Sequence, residues 1–283
     1  MNEQQEKTAL VVEGGAMRGI FAAGVLDQFM EADFNPFETV LGVSAGAINA
    51  AAYLAKQKGR NFKVFTDYSL RPEYISWKKF LNGGHLMDLD WSWDITTRDL
   101  PISTDILFAE NPDFEIGVTM NSDGRSQFIK PDADSLSHVM KASCTVPLFY
   151  RKFLKIENEI VSDGGVSAPI PIQRAIEKGA TKIMVIRSRP DSFRMKKGLE
   201  ARLGKFLFRK YPGLVSALQK RPEIYNSAIE LIQNPPKNLQ IFDVCPPESF
   251  QTKRFTQDYD LLVKDYELGR ETGRIAIEKW NCK

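Results

Sequence analysis

The chain has 283 residues, 43 % hydrophobic and 26 % charged, with a formal net charge of +2. That length suits one large domain or one domain with an appendage, and the composition is that of an ordinary globular protein. Near-neutral charge gives no basis for a nucleic-acid partner, and no apolar run reaches the length of a signal peptide or a membrane span.

The first element in chain order is a buried strand over 9–13, which runs into Glu13-Gly14-Gly15-Ala16-Met17-Arg18-Gly19. From 20 to 32 the apolar residues recur at helical spacing, so that Phe21, Val25, Leu26 and Phe29 share a face. A glycine-rich loop between a strand and a helix is ready to hold an anion on backbone N–H groups. Three readings compete for it. A dinucleotide fingerprint wants glycine where Ala16 stands and an acidic residue about 20 positions on, which the chain does not supply. A phosphate-binding loop needs Gly-Lys-Ser/Thr, and Gly19 is followed by Ile20. An oxyanion hole would aim the Gly14, Gly15 and Ala16 amides at a tetrahedral intermediate, and it needs a nucleophile close by.

Ser44 offers one. A short β-branched strand over 39–43 leads into Gly42-Val43-Ser44-Ala45-Gly46, followed by an alanine-rich helix over 45–58. Strand, sharp turn and helix are the context of a G-x-S-x-G nucleophile elbow, with Gly42 and Gly46 flanking the turn where a Cβ would clash. By itself the pentapeptide is equally a small-residue helix start. The stretch 59–112 reads as a less regular region, and its Trp77, Trp91 and Trp93 are candidates for a substrate-cleft wall. Segments 115–120 and 127–130 form a β-hairpin around Asn121-Ser122-Asp123-Gly124, and a helix follows over 135–143.

Asp163-Gly164-Gly165 follows a strand end at 159–161 and precedes a turn into a helix over 172–178. Alone, Asp-Gly-Gly is more often a turn than a base. A strand over 182–187 comes next. Beyond 190 the pattern turns helical, with one strand at 239–244. The segment 193–211 reads as a single amphipathic helix carrying Met195, Leu199, Leu203, Phe206, Leu207 and Tyr211, with seven basic residues against one acid, Glu200. It fits either peripheral contact with an anionic membrane or a core-packed helix with a solvated basic face.

Ser44, Asp163 and the glycine-rich loop, in this order, resemble the motifs of bacterial patatin-like phospholipases. Arg18 before Gly19 matches the basic residue of the family's oxyanion loop, and Ala142-Ser143 through Pro147 matches its Ala-Ser-x-x-x-Pro segment. The resemblance covers roughly 7–190. It implies a three-layer α/β/α sandwich with a mostly parallel central sheet, with 191–283 as a mainly helical extension packed on it. It also implies a Ser44–Asp163 dyad, an oxyanion hole of Gly14, Gly15 and Ala16, and a lipid ester as substrate. Ala16 departs from the glycine common at its position; alanine keeps the N–H but restricts φ. The histidines agree with a dyad. Neither His85 nor His138 follows Asp163, as a hydrolase triad in Ser-Asp-His order requires.

The expected activity is serine acyl hydrolysis of lipid esters. An acyltransferase and a catalytically silent lipid binder on the same scaffold are the alternatives. No cofactor or metal is expected, and the oligomeric state is unknown from the sequence. Cys144, Cys245 and Cys282 are scattered without metal-ligand spacing, as in a cytoplasmic protein with reduced thiols.

Overall fold

The computed structural model describes residues 6–109 and 112–282, so the last positions of the 59–112 stretch lie partly outside the described residues. Eight strands make one sheet: β1 (Thr8–Val12), β2 (Thr39–Val43), β3 (Asp113–Met120), β4 (Ser126–Ile129), β5 (Leu154–Ile156), β6 (Glu159–Asp163), β7 (Lys182–Ile186) and β8 (Gln240–Val244). Their order is β5-β6-β3-β2-β1-β7-β8, with β4 also paired to β3. The five strands β3, β2, β1, β7 and β8 are parallel, while β4 and β6 run antiparallel to β3. The helices are α1 (Gly19–Glu31), α2 (Ala45–Leu54), α3 (Arg60–Lys63), α4 (Trp77–Leu81), α5 (Leu89–Asp99), α6 (Thr104–Phe108), α7 (Leu136–Ser143), α8 (Ile172–Glu177), α9 (Leu199–Leu207), α10 (Pro212–Gln233) and α11 (Tyr259–Asn281).

Alternation along β1 explains the three layers. Leu10 and Val12 join the core cluster of α1, α2 and α11, built on Phe21, Val25, Phe29 and Trp280. Ala9 and Val11 face the other way, onto Ile172 of α8 and Tyr225 and Ile229 of α10. A parallel sheet covered on both faces needs strands apolar throughout, which is why the short runs at 9–12 and 39–43 were readable. The sequence beyond 190 contributes β8 to the sheet edge beside β7 and packs α11 along α1.

Register positions the site. Val12 pairs with Gly42, so the loops after β1 and β2 leave the sheet side by side. Val43 pairs with Gly117, and the next residue of β3, Val118, pairs with Asp163. One strand thus brings the ends of β2 and β6 to the same level, although β6 arrives from the opposite direction. In open α/β sheets ligands bind beyond the carboxyl ends of the parallel strands, and these loops lie there.

Two expectations change, and a third gains detail. The alanine-rich helix stops at Leu54 rather than Lys58, because the backbone turns left-handed at Lys56 (φ 55°) and Gly59 (φ 78°). The less regular stretch 59–112 carries short helices. Two are started by side-chain caps: Ser76 accepts from the Lys79 N–H and Asp88 from the Trp91 N–H. Finally, 193–211 is not one helix. Only Leu199–Leu207 is helical. Asn226 holds the Met195 backbone from both sides, accepting from its N–H at 2.8 Å and donating to its carbonyl at 3.1 Å, so those groups are withdrawn from any helical ladder.

Candidate active site

Ser44 sits at the tip of the turn between β2 and α2 with φ 54° and ψ −132°. A non-glycine residue in that region is strained, by about 1–3 kcal/mol, and is held there only by its surroundings. Two contacts hold it. Ala47 N–H donates to the Ser44 carbonyl at 2.9 Å, starting α2. The Ser44 N–H donates to Ser143 Oγ at 2.8 Å, and Ser143 in turn donates to the Gly117 carbonyl at 2.7 Å. Gly46 is required by proximity, since a Cβ there would lie 2.3 Å from the Val12 carbonyl oxygen.

Asp163 ends β6 with its side chain buried. Its Oδ1 accepts from the Gly165 N–H at 2.7 Å, its own N–H donates to the Thr145 carbonyl at 3.1 Å, and its carbonyl accepts from Thr119 Oγ1 at 2.8 Å. Burial raises the Asp163 pKa above the ordinary carboxylate value. A hydrogen bond from the Ser44 hydroxyl, the charge of Arg221 and the Gly165 N–H pull it back in part. The serine and the aspartate line the same cavity.

The glycine-rich loop closes over Ser44. A Cβ on Gly14 would lie 2.8 Å from the Val43 oxygen and 2.9 Å from Ser44 Cβ, so only glycine permits this approach. Gly14 and Gly15 spend their N–H groups on no turn or sheet hydrogen bond among the described residues. Ala16 has φ 50°, the left-handed conformation that glycine adopts without strain. Arg18 is buried beneath the loop. Burial, and then the neighbouring Arg189 and Arg254, push its pKa down to about 9. Gly19 abuts α2: its carbonyl accepts from Asn49 Nδ2 at 2.8 Å, which ties the loop's end to the helix behind Ser44.

Two cavities meet at Ser44. One is lined by Gly14, Gly15, Ala16, Asp163 and four arginines. The other is apolar and is walled by Met17, Ile48, Phe65, Leu89, Trp93 and Cys144. Burial pushes the Cys144 thiol well above its ordinary pKa, so it lines the wall as an uncharged group. Of the three tryptophans proposed for the cleft, only Trp93 lines it, anchored by its indole N–H to Ser137 Oγ at 3.0 Å. Trp77 is exposed and packs on Phe80 and Phe255. Neither histidine lines either cavity. His85 accepts from the Arg151 N–H and stacks on Tyr150, and His138 pairs with the Lys155 carbonyl.

The structure places Ser44, Asp163, Gly14, Gly15, Ala16 and Arg18 around one cavity. Gly42 and Gly164 are packing positions: a Cβ on Gly42 would meet Ala47 at 2.6 Å, and one on Gly164 the Gly117 oxygen at 2.1 Å. Missed from the sequence were Ser143 as the support of the Ser44 amide, and Arg189, Arg221 and Arg254. Ser143 was visible only as part of a motif. The arginines lie on separate elements with no pattern between them.

A buried serine and a buried aspartate thus share one cavity beyond the strand ends of an α/β sheet, under a glycine-rich loop. A sequence model of patatin-like phospholipases matches residues 10–176, and a second, of a domain of unknown function (DUF6363), matches 211–282. A bacterial relative, the uncharacterized protein YjjU of Escherichia coli (strain K12), is 35 % identical over 281 residues, spanning 97 % of this chain and 78 % of its own. Among solved structures, the crystal structure of VipD from Legionella pneumophila is similar at 11 % identity and a TM-score of 0.43. That likeness covers 97 % of this chain and 67 % of that one. The chain belongs to the patatin-like phospholipase family.

Proposed function

We propose that the protein is a serine acyl hydrolase cleaving fatty-acyl esters of lipids, with Ser44 as nucleophile and Asp163 as base. The observation that carries this reading is the strained Ser44, which shares a cavity with the buried Asp163 carboxylate at the junction of a polar and an apolar cavity. A binding pocket requires neither the strain nor the buried carboxylate, which disfavours a silent lipid binder. Family membership makes lipid acyl hydrolysis the family-level activity.

The steps follow from the geometry. Asp163 takes the proton of Ser44 as Oγ attacks the ester carbonyl. A carboxylate with a raised pKa is a stronger base than an exposed one. The Gly14, Gly15 and Ala16 amides receive the oxyanion, one such donor contributing roughly 3 kcal/mol. The alcohol leaves with the proton from Asp163, and the acyl group stays on Ser44. Asp163 then takes a proton from water as it attacks the acyl-enzyme, and the fatty acid leaves as Ser44 is reprotonated. An alcohol in place of water would make the same acyl-enzyme a transferase.

The catalytic unit is 7–190, with 191–283 as an extension upon it. Peripheral membrane contact through 193–211 is also supported. Phe206 is 86 % exposed, Leu199 58 %, Leu207 54 % and Leu203 39 %. They form one outward face of α9, amid the exposed Lys196, Lys197, Arg202, Lys205, Arg209 and Lys210. No helix among the described residues is long and apolar enough to cross a membrane. The free thiols fit the reducing cytoplasm.

The test is turnover of a panel of phospholipids, lysophospholipids, triglycerides and short p-nitrophenyl esters by the wild type, Ser44→Ala and Asp163→Asn. Wild-type turnover lost in both variants supports the reading. Full activity in either variant overturns it.

A further inference from the structure

Four arginines from four segments converge on the polar cavity at Ser44. Arg18 comes from the oxyanion loop, Arg189 from the turn after β7, Arg221 from α10 and Arg254 from the loop before α11. Two of them lie in the region matched by the domain of unknown function. Arg221 stands beside the proposed base: a Cβ on Gly165 would lie 3.7 Å from its Nη2. The Arg254 carbonyl accepts from the Met17 N–H, so the C-terminal region touches the oxyanion loop directly.

The cavity sets four arginines against three carboxylates, Glu13, Asp163 and Glu200. Arg18 Nε and Arg221 Nε are buried and have no partner. Leaving a charged donor unsatisfied is costly, and a buried charge needs a counter-charge. The three acids lining the cavity are already engaged. Asp163 faces Ser44, and Glu13 accepts from the Ser188 N–H at 2.7 Å. Glu200, on the inner face of α9, pairs with Arg254. Burial lowers the pKa of Arg18, Arg189 and Arg221, and their mutual repulsion with Arg254 adds to it.

We propose that Arg18, Arg189, Arg221 and Arg254 form a subsite for a phosphate group carried by the lipid ester, next to the bond that Ser44 attacks. This rests on the hydrolase reading of Ser44 and names its preferred substrate. The acyl chain enters the apolar cavity while the phosphate meets the guanidinium groups, whose planar forks pair with two oxygens at once. A phosphate monoester head group, with the most free oxygens, fits best. A choline cap would bring another cation among the arginines. Glu200 occupies part of the subsite in the free protein and competes with the incoming phosphate.

The experiment compares lysophosphatidic acid, lysophosphatidylcholine and monoacylglycerol bearing one acyl chain, in mixed micelles of fixed surface concentration. The wild type is expected to show kcat/KM for lysophosphatidic acid about tenfold or more above that for monoacylglycerol, with lysophosphatidylcholine between them. Arg221→Gln is expected to collapse that ratio, Arg221→Lys to keep most of it, and Glu200→Gln to raise it. A purely structural role for Arg221 would lower both rates by one factor, and that result, like equal wild-type rates, overturns the proposal. Binding to Ser44→Ala by calorimetry is read separately from turnover. Tighter binding of lysophosphatidic acid than of monoacylglycerol supports the subsite even if no ester is hydrolysed, in which case the hydrolase reading fails alone. Binding of inorganic phosphate with no preference between the two lipids marks a free-anion site and overturns the lipid assignment.

Discussion

The backbone N–H of Ser44 donates to the hydroxyl oxygen of Ser143 at 2.8 Å. Two residues on, the Thr145 carbonyl accepts from the Asp163 N–H. The end of α7 thus holds both the proposed nucleophile and the proposed base. Ser143→Ala would leave the Ser44 N–H and the Gly117 carbonyl without their buried partner, at a cost of about 1–3 kcal/mol. The expected outcome is a lower Tm together with a fall in kcat, since the strained turn loses one of its supports. A Tm loss with kcat unchanged would show that Ser143 serves stability alone.

Neighbouring positions of the oxyanion loop should respond in opposite ways. Gly14→Ala places a Cβ against Val43 and Ser44 and should displace the nucleophile, lowering kcat by about 100-fold. Ala16→Gly relieves a left-handed alanine, a gain of roughly 1–2 kcal/mol against about 0.4–1 kcal/mol of added unfolded-state freedom. Equal or higher Tm with activity retained is expected. Thermal melts and ester turnover on the two variants check both; a large Tm loss in Ala16→Gly would contradict the strain assignment.

The pH dependence follows from the raised pKa of Asp163. The base must be ionised, so activity should rise with pH through a midpoint above the ordinary carboxylate value, and fall as Asp163 becomes protonated. Arg221→Gln removes a charge that lowers this pKa, and should move the acid limb to higher pH. Stability has the opposite sign. A carboxyl whose folded pKa lies above its unfolded value destabilises the fold above the folded pKa, and this penalty vanishes below the unfolded one. Asp163→Asn should therefore raise Tm at neutral pH, with the gain shrinking towards pH 4. A constant Tm difference across that range would contradict burial as the cause.

Much of this site was legible because its parts are local. Strand, glycine-rich turn and helix can be read within a dozen residues, and this gave Gly14 to Gly19 and Ser44 with their setting. Bringing Ser44 and Asp163 to one level also needed the register Val43↔Gly117 and Val118↔Asp163, which no periodicity reports. The short helices of 59–112 escaped because Ser76 and Asp88 start them by single side-chain hydrogen bonds. Segment 193–211 misled because helical spacing cannot reveal that Asn226, 31 positions from Met195, takes that residue's backbone groups. The arginine cluster was invisible for the same reason: its members meet only once the sheet and both helical layers exist.

Membrane contact through 193–211 predicts that vesicle binding depends on both charge and apolar exposure. Reversing Lys196, Lys197, Arg209 and Lys210 to glutamate removes attraction of about 1 kcal/mol each near an anionic surface. Phe206→Glu removes the most exposed apolar side chain of α9. Co-sedimentation with anionic vesicles should weaken in both variants and, for the wild type, with added salt. Equal sedimentation of all three proteins at low and high salt would leave α9 as an ordinary surface helix.

The central claim is that Ser44 is the nucleophile and Asp163 its base. Reaction with a fluorophosphonate, followed by peptide mapping by mass spectrometry, tests it most directly, since the reagent phosphonylates a serine only where that serine is activated. The account predicts one adduct, on Ser44, formed much more slowly in Asp163→Asn and at the wild-type rate in His138→Ala and His85→Ala. An adduct on another residue, or labelling of Ser44 that is indifferent to Asp163 and abolished by loss of a histidine in a folded protein, would contradict it.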